Sequence, residues 1–324
     1  MSRSTVAIVQ HAPAVLDLAA SLERAVAHIA EAADRGAQLV VFPETWLTCY
    51  PAWVFGMAGW GDAEARDWHA RLLAESPILG DANDAADGIA PLRAIAAERG
   101  VTVVMGLNER APLGGTMYNS LATIGADGTL LNVHRKLMPT HTERTVWGIG
   151  DAAGLRAVET PAGRVGGLVC WEHWMPLARQ TMHALGEQIH VAAWPDTPEM
   201  HHVAARSYAF EGRCFVVSAG LYLTNEDVPA ELRDAFRLGV GPDAPLEGPL
   251  FTGGSSIIAP DGSYVVEPRY DGAELIVAEI DLGEIDRHRQ DLDVVGHYAR
   301  DDIFELTVDD RRRTGVVRGV GAQR

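Results

Sequence analysis

The alternation of apolar and polar positions predicts strands and helices in turn along most of the chain. Residues 18–33 carry apolar side chains at spacings of three and four with polar ones between them, which is typical of an amphipathic helix. Short runs rich in Val and Ile at 4–9 and 38–43 flank this helix and predict buried strands. The same alternation recurs at 91–107 and between 164 and 219. Strands that alternate with helices predict an α/β layered fold.

Two segments interrupt this alternation and predict β-hairpins. Residues 121–133, LATIGADGTLLNV, and residues 255–267, SSIIAPDGSYVVE, each place Asp-Gly between two apolar runs. Hairpins combined with helical crossovers predict a mixed sheet and not a purely parallel one. Residues 225–249 are rich in Pro, Gly and Asp, and we expect them to form an irregular excursion.

Composition and charge limit the classes of partner. With 47% hydrophobic and 22% charged residues, the chain has enough apolar material for a globular core. The formal net charge of −17 argues against nucleic acid and anionic membranes as partners, because both bind basic surfaces. No run of about 18 apolar residues occurs, and the N-terminus lacks a signal-peptide pattern. Three well-separated cysteines form no disulfide framework and fit a reducing cytoplasm.

One cation differs from all the others in the chain. Lys136 is the single lysine among 27 lysine and arginine residues. A coding bias toward Arg could leave one stray Lys by chance. Alternatively, this position needs a compact ammonium that can lose its proton, which the broad and permanently charged guanidinium of Arg cannot supply. The composition leaves both interpretations open.

Three chemically useful side chains each follow a predicted strand. Glu44 ends the run LVVFPE, Lys136 follows LLNVHR, and Cys170 ends GGLVC. In layered α/β folds ligands gather beyond the strand ends, so these three side chains could share one pocket. Each alone is weak evidence, because a Glu after Pro is commonly a solvated loop charge and a lone Cys is commonly a small buried residue.

The residues after Cys170 favour a reactive thiol over a buried structural one. WEHWMPL places Glu172 and His173 between two large Trp residues, an abrupt change of character after an apolar strand. A helix is predicted to begin a few residues later, so free backbone N–H groups should lie close to the thiol. Such groups stabilise a thiolate or a developing negative charge. Cys49 and Cys214 are interpreted instead as small buried residues.

Three sequence motifs surround the candidate reactive residues. VFPETW contains Glu44, HRKLMPTHTER contains Lys136 and GLVCWEHWMPLAR contains Cys170. In this order and with these flanks, they resemble the nitrilase (carbon–nitrogen hydrolase) superfamily from VAIVQ to VGHYARDDIF, and the Cys motif is similar to that of the nitrilase branch. The resemblance implies a four-layer αββα sandwich, pairing of subunits through the outer helices and often larger spiral assemblies. It also implies that Glu143 is a fourth polar residue at the site, orienting the Lys and the substrate.

The chemistry that this resemblance implies is hydrolysis of an organic nitrile to the carboxylic acid and ammonia. Cys170 would form a thioimidate and then a thioester, Glu44 would act as the general base, and Lys136 would stabilise negative charge in the tetrahedral intermediates. Aromatic residues near the motifs are candidates for an apolar substrate pocket, although core packing is an equally open interpretation. They are Tyr50, Trp53, Trp147, Trp171 and Trp194. No HExxH or comparable ligand cluster occurs, so we expect no metal or other cofactor.

Three other functions remain compatible with the sequence. An amidase or carbamoylase would use the same residues, and a cyanide-degrading hydrolase would use the same chemistry in a smaller pocket. A catalytically silent scaffold that binds partners through its helices is the third. Ammonia release from nitriles, amides and cyanide would discriminate among them.

The chain shows no shift of composition that would divide its body into two domains. At 324 residues it could form one large domain or two small ones. We expect one catalytic domain over residues 1–285, followed by a C-terminal arm over 286–324. The last stretch, 309–324, has few residues to bury and is expected to be a mobile tail.

Overall fold

The computed structural model describes residues 3–57, 59–80, 87–270 and 272–313. Within these ranges the strands, in chain order, are β1 (Arg3–Val9), β2 (Leu39–Val41), β3 (Thr102–Arg110), β4 (Met117–Ile124), β5 (Leu130–Arg135), β6 (Val158–Thr160), β7 (Gly163–Val169), β8 (Ile189–Ala193), β9 (Phe215–Ala219), β10 (Tyr222–Thr224), β11 (Pro249–Thr252), β12 (Ser255–Ile258), β13 (Tyr264–Arg269) and β14 (Leu275–Asp281). The α-helices are α1 (Leu18–Asp34), α2 (Ala63–Ala74), α3 (Ala90–Arg99), α4 (Pro176–Ala184), α5 (Glu199–Gly212), α6 (Arg233–Val240) and α7 (Gly283–Arg289).

Two six-stranded sheets form the centre of the molecule. The first sheet has the strand order β14-β1-β2-β3-β4-β5, and the second has the order β13-β12-β9-β8-β7-β6. In each sheet three central strands run parallel, namely β1-β2-β3 and β7-β8-β9, and the remaining strands pair antiparallel. The prediction of a mixed sheet is therefore confirmed, and it applies to both sheets.

The two sheets pack face to face, with helices on their outer faces. Side chains alternate across β1, so Val6 and Ile8 share a core with residues of the second sheet such as Val191. Ala7 and its neighbours point the other way, into a second core that contains Ile29 of α1. Helices α4 and α5 contribute buried residues to the outer face of the second sheet. The four layers are thus helix, sheet, sheet and helix, and the predicted αββα sandwich is confirmed.

Most elements predicted from the pattern are present with small changes at their ends. The helix predicted over 18–33 spans Leu18–Asp34, and Asp17 caps it by accepting a hydrogen bond from Ala20 N at 2.9 Å. Both predicted hairpins form, one as β4–β5 and the other as β12–β13. The predicted strand over 38–43 is shorter, because only Leu39–Val41 keep sheet pairing before the chain turns.

The expectation of an irregular excursion over 225–249 is wrong, because this segment contains helix α6. Leu232, Phe236 and Val240 recur every four residues, and the first two are fully buried. The ring of Phe236 packs 6.0 Å from that of Trp53 and 5.9 Å from that of Phe251. Most of the Pro, Gly and Asp residues lie on either side of the helix, and only Asp234 and Gly239 fall within it.

The C-terminal arm continues past α7 without regular structure as far as residue 313. Its end is held by Asp151, which accepts from Arg312 Nη1 at 3.0 Å and from the backbone N of Arg313 at 2.8 Å. Residues 314–324, which include most of the predicted mobile tail, lie outside the described residues. The division at residue 285 stays a prediction. No helix in the described ranges is both long enough and apolar enough to cross a bilayer.

Candidate active site

Glu44, Lys136 and Cys170 each follow a strand end, as the sequence pattern indicates. Lys136 comes directly after β5, Cys170 directly after β7, and Glu44 lies three residues beyond β2. Strands β2 and β5 belong to the first sheet and β7 to the second, so the site forms where the stacked sheets end together. The backbone N of Glu44 donates to the carbonyl of Trp194 at 3.3 Å, which joins the two sheets at this point.

The turn that carries Glu44 lies against β3, and glycine is needed there. A Cβ atom at Gly106 would lie 2.0 Å from the carbonyl oxygen of Pro43 and 2.7 Å from the backbone N of Thr45. Real Cβ atoms do not approach backbone that closely, so a side chain at this position would push the turn away. Gly106 therefore helps to set the depth at which Glu44 enters the site.

Lys136 is buried between two carboxylates. Its Nζ donates to Oε1 of Glu44 at 2.9 Å and to Oε2 of Glu143 at 2.8 Å, and its side chain is 0% exposed. Burial alone would lower the pKa of the ammonium, but its acidic neighbours, Cys170 once it is ionised together with Glu44 and Glu143, outweigh burial and raise the pKa. The ammonium is therefore held in its charged form, and it presents a fixed positive charge to the site.

The two oxygens of Glu44 have different surroundings. Oε1 accepts from Lys136 Nζ and also from Nδ2 of Asn119 at 2.6 Å. Oε2 is buried and has no hydrogen-bond partner among the described residues. Burial, reinforced by the charge of Glu143 and opposed by Lys136 and Asn119, raises the pKa of Glu44 to about 7. A carboxyl group with a free oxygen and such a pKa is suited to exchange protons near neutral pH.

Glu143 is fixed by three donors. It lies in a 3₁₀ turn, His141–Thr145, and forms a capping box with Thr140 at the start of that turn. Its Oε2 accepts from the backbone N of Thr140 at 2.6 Å as well as from Lys136, and its Oε1 accepts from the Tyr50 hydroxyl at 2.6 Å. Burial and the charge of Glu143 raise the pKa of Tyr50, so its hydroxyl remains a donor.

Cys170 occupies a strained turn between β7 and the 3₁₀ turn Cys170–Trp174. Its φ of +52° lies in the left-handed region, which a residue with a Cβ rarely adopts. Nδ1 of His173 lies 2.7 Å from the Cys170 carbonyl, and a carbonyl oxygen can only accept, so Nδ1 carries the proton. The turn directs the thiol toward the cavity that Cys170 lines.

The thiol of Cys170 is protonated in the resting site. Burial and the charge of Glu44 raise the pKa of Cys170 well above its usual value. Lys136 and the backbone N–H of Trp171 lower it, as expected from nearby donors, but their effect is smaller. The Trp171 N–H therefore acts in the direction expected from the sequence, but it does not offset burial. A thiol in this state becomes a nucleophile only when a base takes its proton.

A cavity of about 810 Å³ opens over Cys170 and Glu143. Much of its wall is apolar and comes from separate segments of the chain, and Tyr50 and Trp171 belong to its lining. The other apolar lining residues include Phe55, Met138, Met175, Val240 and Phe251. The volume is within the range of pockets that hold small organic ligands.

The structure does not bring all five predicted aromatic residues to this cavity. Within the described residues, Trp53, Trp147 and Trp194 lie outside its lining. The ring of Trp147 packs behind that of Tyr50, with the ring centroids 5.7 Å apart, and its Nε1 donates to Asn108. Trp194 is fully buried and donates from Nε1 to Ser218, and Trp53 lines a separate cavity of about 440 Å³. Of the five predicted aromatic residues, Tyr50 and Trp171 are thus the two that face the cavity over Cys170.

Sequence reasoning did not find Asn119, although a signal was present. Asn119 is an amide in the strand β4, MYNSLATI, whose residues are mostly apolar, and it is buried there. Its backbone carbonyl accepts from Lys136 N at 2.8 Å, so the same residue holds both Lys136 and Glu44. No group of three or more His, Cys, Asp or Glu side chains in the described ranges is arranged to hold a metal ion.

Comparison with known proteins identifies the family. The family model described as carbon-nitrogen hydrolase matches residues 5–290. The chain is 38% identical to an aliphatic nitrilase of Sinorhizobium fredii, over 98% of this chain and 99% of that protein. It is 38% identical to a bifunctional nitrilase/nitrile hydratase, NIT4A, of Lupinus angustifolius, with 94% and 85% covered. The chain belongs to the carbon–nitrogen hydrolase family.

A solved structure of low sequence identity also supports the fold. Saccharomyces cerevisiae Nit3, a member of branch 10 of the nitrilase superfamily, matches with a TM-score of 0.71 at 21% identity. The match covers 93% of this chain and 97% of that chain. At this identity the likeness concerns the fold alone.

Proposed function

We propose that this carbon–nitrogen hydrolase is a nitrilase, which converts an organic nitrile to the carboxylic acid and ammonia through a covalent intermediate on Cys170. The relatives named as nitrilases align over nearly the whole chain at 38% identity, which supports a nitrile as the substrate. The single structural observation that carries the mechanism is the buried cluster of Glu44, Lys136 and Glu143 beside the thiol.

The first half of the reaction forms the thioimidate. Cys170 adds to the nitrile carbon while its proton passes to Oε2 of Glu44, the oxygen left without a protein partner. The nitrile nitrogen becomes basic as the sulfur bonds, and it takes up that proton, which regenerates the Glu44 carboxylate. The product is a neutral thioimidate in which carbon is bound to sulfur and doubly bonded to N–H.

The second half consumes two water molecules. Glu44 passes one proton of the first water to the nitrogen as the water oxygen bonds to the thioimidate carbon. It then moves the remaining hydroxyl proton of this tetrahedral intermediate to the nitrogen, so that the C–N bond breaks, ammonia leaves and the thioester carbonyl forms. A second water attacks the resulting thioester in the same way, releasing the acid and the thiol. Lys136 stabilises the negatively charged tetrahedral intermediates, and such preorganised donors are each worth about 2.7–4 kcal/mol.

The dimensions of the cavity favour an organic nitrile over cyanide. About 810 Å³ is far more space than a two-atom ion requires, and the wall is largely apolar. Tyr50 and Trp171 are the aromatic residues that we expect to contact the body of the substrate. An arene-bearing or aliphatic nitrile fits this lining.

The proposal is tested by ammonia release from a panel of nitriles, the corresponding amides, and cyanide. We expect turnover of nitriles to exceed that of amides, and Cys170→Ser to abolish it while Cys214→Ser, at a buried cysteine outside the site, leaves it intact. Faster turnover of amides would indicate an amidase or carbamoylase, which shares the thioester half-reaction. Release from none of the three would favour a binding scaffold.

We also propose a homo-oligomer, at least a dimer, in a cytoplasmic location. The outer helices α4 and α5 expose apolar side chains that a paired subunit would cover, including Leu177, Met200 and Phe210. All three cysteines are free thiols, which suits a reducing compartment. Light scattering at micromolar concentration should give a mass at least twice the 34.9 kDa of one chain. A particle of one-chain mass would contradict the proposed dimer.

A further inference from the structure

The carboxylate of Glu172 joins the two segments that carry Lys136 and Cys170. Its Oε1 accepts from the backbone N of Leu137 at 2.7 Å, and its Oε2 accepts from the backbone N of Val169 at 2.6 Å. Nε2 of His134 lies 3.0 Å from Oε1 and 2.9 Å from Oε2. Glu172 and His134 are both about 1% exposed, so water does not compete for these bonds.

The two backbone donors are immediate neighbours of the reactive residues. Leu137 follows Lys136, and Val169 precedes Cys170. Strand β5 is the edge of the first sheet and β7 lies in the second, so no sheet pairing joins these segments. Without Glu172, the buried N–H of Val169 would lose its acceptor, which costs about 1–3 kcal/mol, and the partly buried N–H of Leu137 would lose its acceptor as well. The side chain thus supplies a link that backbone pairing cannot.

The hydrogen-bond pattern fits an ionised Glu172, because a backbone N–H donates to each of its two oxygens. Both oxygens face donors, and Nδ1 of His134 has no partner among the described residues. A neutral His134 protonated on Nε2 satisfies this pattern, because Nε2 then donates to the carboxylate. Burial opposes the charge, but His134 and the N–H groups of Leu137 and Val169 outweigh it and lower the pKa of Glu172. An amide at this position would turn its NH₂ group toward one of the backbone donors.

We propose that Glu172 is a positioning residue for the reaction, which fixes the Lys136 ammonium relative to the Cys170 thiol by binding the backbone beside each of them. This role rests on the proposed nitrilase mechanism, in which both groups act on the same carbon and nitrogen atoms. Displacement of reacting groups by about 1 Å can cost about 10²-fold in rate. Glu172 itself has no part in bond making.

The test uses Glu172→Gln, with Glu109→Gln as its matched control. Glu109 is also a buried carboxylate, bound to Arg135 and Ser120 on the neighbouring strands. We expect Glu172→Gln to lower kcat for a nitrile about 10²-fold with KM within about threefold of the parent, because both displaced groups act in the transition state. Glu109→Gln should lose stability and keep kcat within about threefold. Equal losses of kcat in both variants would overturn the proposal.

A second readout does not depend on nitrile turnover. Lys136 lowers the pKa of the Cys170 thiol, so moving the ammonium away should raise it further. The rate of Cys170 alkylation by iodoacetamide, followed by peptide mass spectrometry, should therefore shift to higher pH in Glu172→Gln. An unchanged alkylation profile would contradict the positioning role even if nitrile turnover fell. If the parent turned over no nitrile, this profile would still decide the question, and the proposed function would fail separately.

A milder pair of variants covers the case in which Glu172→Gln does not fold. His134→Gln keeps a side-chain N–H that can donate to Glu172, whereas His134→Leu removes it. We expect the Leu variant to show the alkylation shift and about a tenfold loss of kcat, and the Gln variant to remain within about threefold of the parent. Identical behaviour of the two variants would overturn the proposal.

Discussion

The ammonium of Lys136 donates to Oε1 of Glu44 at 2.9 Å and leaves the second oxygen of that carboxylate without a partner among the described residues. The two oxygens of the Glu44 carboxylate therefore have different roles. Oε1 is held by donors, so the orientation of the group is fixed, and Oε2 is free to take and return protons. A single base can therefore serve both halves of the proposed reaction.

Replacement of Glu44 tests this assignment. Glu44→Gln is nearly isosteric, and we expect a fall in kcat of about 10²–10⁴-fold, the usual contribution of a general base. The melting temperature should change little, since the amide oxygen can still accept from Lys136. A loss of less than about tenfold would identify another residue, with Glu143 the first candidate, as the base.

The pH dependence of kcat/KM should report the ionisation of Glu44. Burial raises its pKa to about 7, and a base must be ionised to act. Activity should therefore be lost as the pH falls through about 7 and should level off above it. The hydrogen bond from Asn119 lowers this pKa, so Asn119→Ala should move the midpoint to higher pH. A midpoint that stayed in place, or moved down, would contradict this account.

The covalent intermediate should form on Cys170 and on no other cysteine. Cys49 and Cys214 are fully buried, and neither lines the cavity over the site. Mass spectrometry after trapping with a slowly hydrolysed nitrile should find the adduct on the Cys170 peptide. An adduct on either of the other cysteines, with Cys170 unmodified, would refute the assignment.

Gly106 should tolerate no side chain. In Gly106→Ala the new methyl group would meet the backbone of Pro43 and Thr45, and overpacking of this kind costs about 1–3 kcal/mol of unfolding free energy. We expect a lower melting temperature together with lower kcat, because the turn that carries Glu44 moves. Gly115→Ala is the control, since its nearest neighbour, a side-chain atom of Leu73, would lie 3.8 Å away. Equal stability of the two variants would contradict the role given to Gly106.

Local sequence patterns predicted much of the fold because hydrophobic periodicity and Asp-Gly turns are local signals. The strands before Lys136 and Cys170 were predicted for this reason, and so was the position of each residue at a strand end. The contacts made by Asn119 and Glu172 were not, since those of Asn119 depend on the order of strands in the first sheet and those of Glu172 on how the two sheets stack. Residues 119 and 44 are 75 positions apart, and nothing local links them.

The aromatic residues show a second limit of local reasoning. A large ring near a motif fits equally well on either side of a strand end, and only the stacked sheets decide which side holds the cavity. Trp171 is half-exposed at the cavity, whereas Trp194 is buried behind His173 with their rings 4.5 Å apart. Helix α6 was missed because the high content of Pro, Gly and Asp over residues 225–249 is typical of irregular structure. Only three apolar residues repeat there at helical spacing.

The central claim is that the site needs a compact ammonium at Lys136, and Lys136→Arg tests it most directly. Both carboxylates lie within 2.9 Å of Nζ, and the wider fork of Arg would displace Glu44 or the substrate. The measurement is kcat/KM for a nitrile, with folding checked by melting temperature. We expect a loss of about 10²-fold or more in a folded protein. Turnover within about threefold of the parent would show that the single lysine is an accident of coding bias, and the mechanism would lose its electrophilic group.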